Sequence, residues 1–229
     1  MNIAKIKDLL TELEIELTPT MLKQFDEYAN FLIDYNQKVN LTAITDYDEI
    51  FTKHFYDSLL TLKLIKIDNK LADIGTGAGF PGVVLKIVRP DIDLYLIEAN
   101  GKRCEFLKEL LAKLELSATI INKRAEELND YKEYFDFVCA RAVAPLNILL
   151  ELLTPLAKIN AKLLILRGKN GKEELLACDK AFKELNLELI KINTEHYDDN
   201  TRINALINKK NKTHPKYPRN YSQIKRKPL

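Results

Sequence analysis

A glycine-rich turn is the part of the sequence best suited to hold a ligand. Four of the seven glycines lie within Gly75–Gly82, directly after one short apolar run and before another. This order predicts a strand, a turn and a helix, in which bare backbone and a helix N-terminus approach a nucleotide-like ligand. Asp73 ends the predicted strand, where its carboxylate would repel a pyrophosphate but suit a cationic amino group.

The glycine spacing fits two kinds of nucleotide site. Gly77–Gly82 spells G-x-G-x-x-G, and Glu98 follows about 20 residues later, as in the dinucleotide fingerprint of nicotinamide-dependent oxidoreductases. That fingerprint places its first glycine directly after the strand, and here that glycine is Gly75. Counted from Asp73, the pattern is D-x-G-x-G-x-G with a later acid, which resembles motifs I and II of the S-adenosylmethionine-dependent methyltransferases.

The length and composition of the chain limit the classes of protein to which it can belong. The chain has 229 residues, of which 46% are apolar and 30% charged, enough for one full core. No apolar run approaches the roughly 20 residues of a membrane span. Three widely spaced cysteines and three histidines form no metal-binding cluster. We therefore expect a cytoplasmic protein, with no metal and no membrane attachment.

Charge is distributed unevenly along the chain. Eight of the 35 Lys and Arg residues, and none of the 33 Asp and Glu residues, lie from Asn208 to Leu229. The rest of the chain therefore carries a net charge of −6. A basic tail on an acidic body fits either a polyanionic partner or a disordered, solubilising end. Tyr217 and Tyr221 favour RNA, because they could stack on bases.

Periodicity predicts a helical N-terminal part followed by an α/β domain. Residues 1–66 are predicted to be helical, with a helix start at Thr18–Pro19 and a last helix over 46–65. Strand and helix patterns then alternate, which predicts a parallel sheet covered on both faces. The predicted strands are 70–74, 93–98, 118–122, 135–140 and 161–167, and the predicted helices lie near 81–89, 101–115, 145–157 and 171–185.

The last two predicted strands fix the fold class. Residues 187–192 and 202–208 leave no room for a crossover helix, so these strands must pair antiparallel or lie apart. A late hairpin on a parallel sheet is typical of methyltransferases. The prediction is thus a mostly parallel, Rossmann-like class I methyltransferase sheet over 67–208. A helical extension over 1–66 precedes it, and a basic tail over 209–229 follows.

Polar residues follow five of the predicted strands. Ligands of open parallel sheets bind at the carboxyl ends of the strands, which meet at one edge. These strand ends carry Asp73 with the glycine turn, Glu98, Arg124–Glu127, Arg141 and Arg167–Lys169. Their convergence predicts a ligand site at this edge.

Several motifs along nearly the whole chain point to one family. They are Asp73–Gly82, Val88–Pro90, Gly101–Arg103 with Phe106–Leu107, Arg124–Glu127, Ala140–Ala142, Tyr35–Thr42, His54–Ser58 and Lys216–Arg219. Together they resemble the 16S ribosomal RNA (guanine-N7) methyltransferase G family, also known as glucose-inhibited division protein B. Two departures are mild: Tyr35 replaces a frequent tryptophan, and Glu98 stands where some members have aspartate.

The resemblance implies methyl transfer from S-adenosylmethionine to N7 of a guanine in 16S ribosomal RNA, free or in the small subunit. It also implies cofactor contacts from Gly75 and Phe80, adenine contacts from Ala125 and Glu126, and Arg141 at the floor of the site. The residues themselves add Gly77 in the turn, Asp73 near the methionine amino group and Glu98 on the ribose hydroxyls. We expect a monomer.

Guanine N7 carries a lone pair and no proton, so we predict no general base and name no catalytic residue. Positioning should dominate the rate, with Arg141 and Lys169 at guanine O6 or at phosphate. His54 is predicted either to pack inside a helix or to contact RNA, and Asn40 and Asp57 to tie the N-terminal helices to the sheet. The candidate RNA-binding residues are His54, Arg141, Lys169, Lys216, Arg219 and Lys225.

Overall fold

The computed structural model describes residues 3–141 and 144–229. These residues contain one seven-stranded sheet. Its strands are β1 (Lys70–Ile74), β2 (Asp93–Ile97), β3 (Thr119–Ile121), β4 (Phe135–Arg141), β5 (Ala157–Arg167), β6 (Leu187–Tyr197) and β7 (Asn200–Lys209). They lie in the order β3-β2-β1-β4-β5-β7-β6. The first five strands run parallel, and β7 pairs antiparallel with both β5 and β6. The predicted fold class is confirmed.

The N-terminal helices are α1 (Ile3–Glu12), α2 (Pro19–Asn36), α3 (Tyr47–Ile50) and α4 (Asp57–Leu59). Thr18 caps α2 as its sequence predicts, since its Oγ1 accepts a hydrogen bond from Met21 N. Between α3 and α4 the backbone widens into a π-helical turn, Phe51–Tyr56, and after α4 it tightens into a 3-10 turn, Leu60–Lys63. The prediction of helix over 46–65 is confirmed, but the hydrophobic period did not reveal the π-helical turn.

The remaining helices flank the sheet. They are α5 (Gly82–Val88), α6 (Gly101–Lys113), α7 (Leu146–Leu153), α8 (Gly171–Leu176), α9 (Asp179–Glu184) and α10 (Tyr221–Arg226). The single helix predicted over 171–185 is wrong, because the chain turns between α8 and α9. Cys178 N bonds Leu175 O three residues back, and this tighter turn buries Leu175, Cys178 and Ala181 together.

Strand β5 is longer than predicted. It begins at Ala157, which pairs with Phe135, rather than at residue 161. Lys158 and Asn160 are polar, and Ile159 is 48% exposed, so this first part has no apolar alternation that a sequence pattern could detect. The extra residues lengthen the strand on the side away from the predicted site.

Two apolar cores lie on opposite faces of the sheet. The N-terminal helices, α5 and α6 bury one face through residues such as Phe25, Leu32, Phe55, Val84 and Leu107. Helices α7 to α9 bury the other face, where Val138, Leu149, Leu153, Ile165 and Ile207 share a core. The N-terminal helices therefore share their core with the sheet, close to the carboxyl ends of its strands.

The C-terminal segment, residues 210–229, packs on the sheet domain. Lys209 ends β7 with no exposed surface, and Tyr217 and Ile224 are also buried. The alternative of a disordered tail is therefore wrong. Tyr217 is not free to stack on bases either, because it is only 3% exposed and its hydroxyl donates to Glu184.

Two features are absent from residues 3–141 and 144–229. No helix there is long and apolar enough to cross a membrane. The same residues contain no group of three or more His, Cys, Asp or Glu side chains arranged to hold a metal ion.

Candidate functional site

A cleft of about 380 Å³, which we call the first cleft, opens at the carboxyl ends of the parallel strands. It contains five residues that the sequence places in the site: Gly75, Glu98, Ala125, Glu126 and Arg141. The other lining residues are Ile74, Ile97, Ala99, Arg103, Lys123, Arg124, Ala144, Leu152 and Tyr221. Four of the five predicted strand ends thus meet at one cavity, whereas Arg167 and Gly168 of the fifth line a different one.

Asp73 stabilises the glycine turn through two hydrogen bonds. Its Oδ2 accepts hydrogen bonds from Thr76 Oγ1 (2.7 Å) and from Gly82 N (2.8 Å). The side chain is fully buried, and burial raises the pKa of its carboxyl to about 6. Asp73 does not line the first cleft, so its contact with a ligand amino group stays a prediction.

The backbone of the turn needs glycine. Gly75, Gly77 and Gly79 have φ values of 67°, 60° and 97°, in the left-handed region that side chains disfavour. A Cβ on Gly79 would lie 2.6 Å from the Tyr28 hydroxyl and 2.8 Å from Val83 Cγ2. The glycine at this position therefore lets helix α2 approach the turn closely.

Tyr28 of helix α2 supports the turn directly. Its hydroxyl donates to Ala78 O at 2.5 Å, and its ring stacks on Phe80 with centroids 5.4 Å apart. Burial raises the pKa of this phenol, which therefore stays a hydrogen-bond donor. Tyr28 and Ala78 are 50 residues apart in the chain, and no local sequence signal indicates this contact.

Glu98 links the glycine turn to the next loop. Its Oε2 accepts from Gly77 N at 3.0 Å and its Oε1 from Asn100 N at 2.8 Å. An ionised carboxylate offers about four acceptor sites, so two such bonds leave acceptor capacity on the cleft side. Arg103 Nη1 lies 3.8 Å from Oε2 at the edge of the same cleft.

The loop after β3 contributes a short 3-10 turn, Ala125–Glu127. Glu127 Oε2 accepts from Arg124 N at 3.2 Å, which caps the turn and makes Glu127 a local structural residue. Ala125 and Glu126 instead line the first cleft. The structure thus separates two neighbouring acids that look alike in sequence.

Arg141, the last residue of β4, joins the sheet to the N-terminal helices. Its Nη1 donates to Lys53 O (3.3 Å) and to Asp57 Oδ2 (3.2 Å), and its Nη2 lies 2.9 Å from His54 Nδ1. The guanidinium also lies over the Phe80 ring, 4.9 Å from its centroid. Phe80 is 5% exposed and lies behind the first cleft, so its predicted cofactor contact stays untested.

Asp57 binds two arginines from different strands. Its Oδ2 accepts from Arg141 and its Oδ1 from Arg202 Nε at 2.8 Å, while the residue itself is 2% exposed. Asn40 makes a weaker link, in which its carbonyl oxygen accepts from Arg103 Nη2 at 3.4 Å. The prediction that Asp57 ties the N-terminal helices to the sheet is confirmed, whereas Asn40 contacts helix α6 through its backbone only, so its predicted tie to the sheet stays a prediction.

His54 is packed rather than presented to solvent. It is 6% exposed, and its ring stacks on Phe80 with centroids 4.4 Å apart. Because Arg141 can only donate, Nδ1 accepts and Nε2 carries the hydrogen toward Thr42 Oγ1, 2.8 Å away. Burial, with the Arg141 charge, lowers its pKa to about 3, so the imidazole is neutral.

A second cavity of about 340 Å³, which we call the cationic cavity, lies on the other side of Arg141. Cations predominate among its polar lining residues, and the single acid, Asp57, already binds two arginines. Its lining residues are Ile44, Lys53, His54, Asp57, Arg141, Leu166, Arg167, Gly168 and Arg202. Lys169 follows Gly168 and is exposed beside this cavity.

The other predicted RNA-binding residues have different surroundings. Lys216 and Lys225 are exposed, although Lys216 Nζ lies 3.3 Å from Glu184 Oε2. Arg219 binds Glu151 of the same chain. His54 contacts Thr42 and Arg141. Ala142 of the Ala140–Ala142 motif lies outside the described residues.

The strand order, the late antiparallel hairpin and the glycine turn at the strand ends define a class I methyltransferase fold. Solved structures of this kind share the fold at low sequence identity. A tRNA methyltransferase of Aquifex aeolicus superposes with a TM-score of 0.50 at 15% identity and covers 69% of each chain. A precorrin-6y methyltransferase of Geobacter metallireducens gives 0.50 at 13% identity and covers 67% of this chain and 87% of its own.

The chain belongs to the rRNA small subunit methyltransferase G family, which matches residues 21–203. A ribosomal RNA small subunit methyltransferase G of Mycoplasma capricolum is 52% identical over 200 residues, covering 86% of this chain and 87% of its own. The enzyme of that name from Lactobacillus delbrueckii is 39% identical over the full length of both chains. The family resemblance expected from the motifs is confirmed.

Proposed function

We propose that this protein transfers a methyl group from S-adenosylmethionine to N7 of a guanine in 16S ribosomal RNA, in the cytoplasm. One observation carries the proposal: the first cleft and the cationic cavity meet at Arg141, which lines both. A methyl donor on one side and a nucleotide on the other would thus meet beside one partly buried guanidinium, which is fixed by its hydrogen bonds. Relatives named ribosomal RNA small subunit methyltransferase G support the RNA substrate.

The residues of the first cleft fit the adenosyl and methionine parts of the cofactor. Gly75 at the end of β1 gives close backbone approach, and Glu98 keeps acceptor capacity for the two ribose hydroxyls. Ala125 and Glu126 offer an apolar surface and an acceptor beside it, which suits adenine. When bound, the cofactor supplies an electrophilic methyl group on a sulfonium.

The cationic cavity fits a guanine nucleotide. Arginine and lysine donors suit guanine O6 and phosphate oxygens. A cation on N7 itself would block the lone pair that must attack, so Arg141 is assigned to O6 or phosphate. His54 is neutral and its one N–H faces Thr42 Oγ1, so it is not placed to act as an acid, and N7 needs no proton removed. These residues therefore orient the base and exclude water, and positioning supplies the rate enhancement.

Three exposed lysines are assigned to the RNA backbone. Lys169 lies beside the cationic cavity, while Lys216 and Lys225 project from the C-terminal segment. Each phosphate contact should steepen the slope of the log binding constant against log salt concentration by about 0.7–0.9. Arg219 and His54 are not included, since both have partners inside the chain.

Calorimetric titration with S-adenosylhomocysteine and, separately, with NAD tests the cofactor assignment. We expect S-adenosylhomocysteine to bind and Glu98→Gln to weaken it by about 10- to 100-fold, the value of hydrogen bonds to a charged group. Glu105→Gln is the control, because Glu105 is an exposed acid on α6 that bonds only Lys108 among the described contacts. Binding of NAD alone would overturn the proposal and restore the oxidoreductase alternative.

A further inference from the structure

The C-terminal segment forms one wall of the first cleft. Tyr221, the first residue of α10, lines this cleft together with Ala125 and Leu152. The basic composition of the segment suggested either a polyanionic partner or a solubilising end, so a cofactor-side role was not expected. The surroundings of Tyr221 show what fixes it there and which ligand atoms it would face.

A buried ion pair anchors the segment just before Tyr221. Arg219 donates through its backbone N and its Nε to Glu151 Oε1, at 2.9 and 2.8 Å, and through Nη2 to Oε2 at 2.5 Å. Glu151 on α7 has no exposed surface. A bidentate pair of this kind fixes direction as well as distance. The chain therefore enters α10 at a defined position on α7.

Apolar packing then fixes the orientation of α10. Ile224 is fully buried in a small core with Ile148 and Leu152, and Tyr221 and Ala125 pack against this core. Asn220 caps the helix, since its Oδ1 accepts from Ser222 N at 3.1 Å. Tyr221 is held beside Ala125, the residue expected to meet adenine.

The chemistry of the cleft singles out this side chain. Among the residues that line the first cleft in the described part of the chain, Tyr221 is the only aromatic one. Adenine is a flat aromatic ring, and stacking of a base on an aromatic side chain is a strong and geometry-dependent contact. Tyr221 remains half-buried, so its ring is accessible from the cleft.

We infer that Tyr221 is a binding residue for the adenine of the methyl donor, and that the C-terminal segment is part of the cofactor site. This inference rests on the proposed function, because the ligand is the adenosyl group named there. Arg219 and Glu151 position the residue and do not touch the ligand.

The chain contains no tryptophan, so a Tyr221→Trp variant carries a single fluorescent reporter at this position. A Gln223→Trp variant is the matched control, because Gln223 is exposed on the same helix and does not line the cleft. We expect S-adenosylhomocysteine to quench the emission of the first variant by half or more and to leave the second unchanged. Calorimetry on both variants establishes that the ligand is bound.

Two substitutions complete the test. Tyr221→Leu keeps apolar volume against Ile148 and Leu152 but removes the ring, and should weaken S-adenosylhomocysteine binding about tenfold or more. Tyr221→Phe should bind within twofold of the unsubstituted protein. The inference would be overturned if the tryptophan emission of Tyr221→Trp stayed unchanged at saturating ligand. It would equally be overturned if Tyr221→Leu bound S-adenosylhomocysteine as tightly as the unsubstituted protein. Failure of the unsubstituted protein to bind at all would instead overturn the proposed function.

Discussion

A guanidinium nitrogen of Arg141 lies 2.9 Å from Nδ1 of His54, which joins the end of strand β4 to the π-helical turn of the N-terminal helices. The contact requires a neutral imidazole, because a second proton would face the guanidinium. It also places Arg141 between the two cavities. The N-terminal helices thus fix Arg141, the one residue in the described part of the chain that lines both cavities.

Acidification should reveal this buried imidazole. Burial lowers the pKa of His54 to about 3, whereas an unfolded histidine has a pKa near 6.5. Between these values the unfolded chain binds the extra proton, so stability falls as the pH falls through this window. The unfolding free energy of the parent should therefore fall between pH 7 and pH 5. We expect this fall to be about 2 kcal/mol smaller in a His54→Gln variant.

Urea unfolding at several pH values measures this difference. Asp73 has the opposite effect, because burial raises the pKa of its carboxyl to about 6 and it therefore adds stability as the pH falls below 6. This effect is the same in both proteins and cancels when their unfolding free energies are compared. His196→Gln is the control, because His196 is exposed. Parallel stability curves for the parent and His54→Gln would contradict the assignment.

Asp57 is predicted to act on the reaction through the arginines it holds. In Asp57→Asn the charge is lost, so the hydrogen bonds to Arg141 and Arg202 weaken and the guanidinium of Arg141 gains freedom. We expect kcat for RNA methylation to fall about tenfold or more, while S-adenosylhomocysteine affinity changes less. Asp68→Asn, at an exposed site on the loop before β1, should leave both quantities unchanged. Equal losses of kcat and cofactor affinity would point to a general structural role.

The close approach of Tyr28 makes Gly79 the most restrictive glycine of the turn. Gly79→Ala would place a methyl group 2.6 Å from the Tyr28 hydroxyl at a φ of 97°. Backbone strain of this kind costs about 1–3 kcal/mol, and the contact must also shift. We expect a matching loss of unfolding free energy and weaker S-adenosylhomocysteine binding.

Gly168→Ala is the matched control for this substitution. A Cβ there meets nothing within 4 Å, so unfolding free energy should stay within about 0.5 kcal/mol of the parent. If both alanine variants unfold alike, the turn does not depend on the contact with α2.

The buried pair of Arg219 and Glu151 should dominate the stability of the C-terminal segment. Arg219→Met leaves the Glu151 carboxylate buried without its partner, which should cost about 3 kcal/mol or more. The double variant Glu151→Leu with Arg219→Met should recover most of this loss, because neither charge then remains. Chemical unfolding measures both. Lys216→Met, which breaks an exposed pair, should have little effect, and a loss equal to that of Arg219→Met would contradict the account.

Sequence reasoning predicted the sheet well because its signals are local. The parallel strands have continuous apolar runs, and the glycine turn, the acid after β2 and the arginine ending β4 each stand at a strand end. Such positions follow from fold class alone, since parallel strands bring their carboxyl ends to one edge. Gly75, Glu98 and Arg141 were therefore expected at this edge, and all three line the first cleft, while their ligand contacts stay predictions.

Long-range contacts were the part that could not be predicted. The basic character of residues 209–229 gave no sign that Glu151, nearly 70 residues earlier, would bind Arg219 in the core. Likewise, a regular 3.6-residue period cannot show the π-helical turn that brings His54 onto Phe80. Deletion of residues 209–229 would therefore remove Tyr221, a lining residue of the first cleft.

Methylation of 16S ribosomal RNA in a strain that lacks this protein tests the central claim most directly. RNA from that strain is incubated with the purified protein and methyl-labelled S-adenosylmethionine, and nucleosides are separated by liquid chromatography and mass spectrometry. The account predicts that N7-methylguanosine is absent from the deletion RNA at one site and that label appears in this nucleoside alone. Persistence of the modified base in the deletion strain, or label in any other nucleoside, would contradict it.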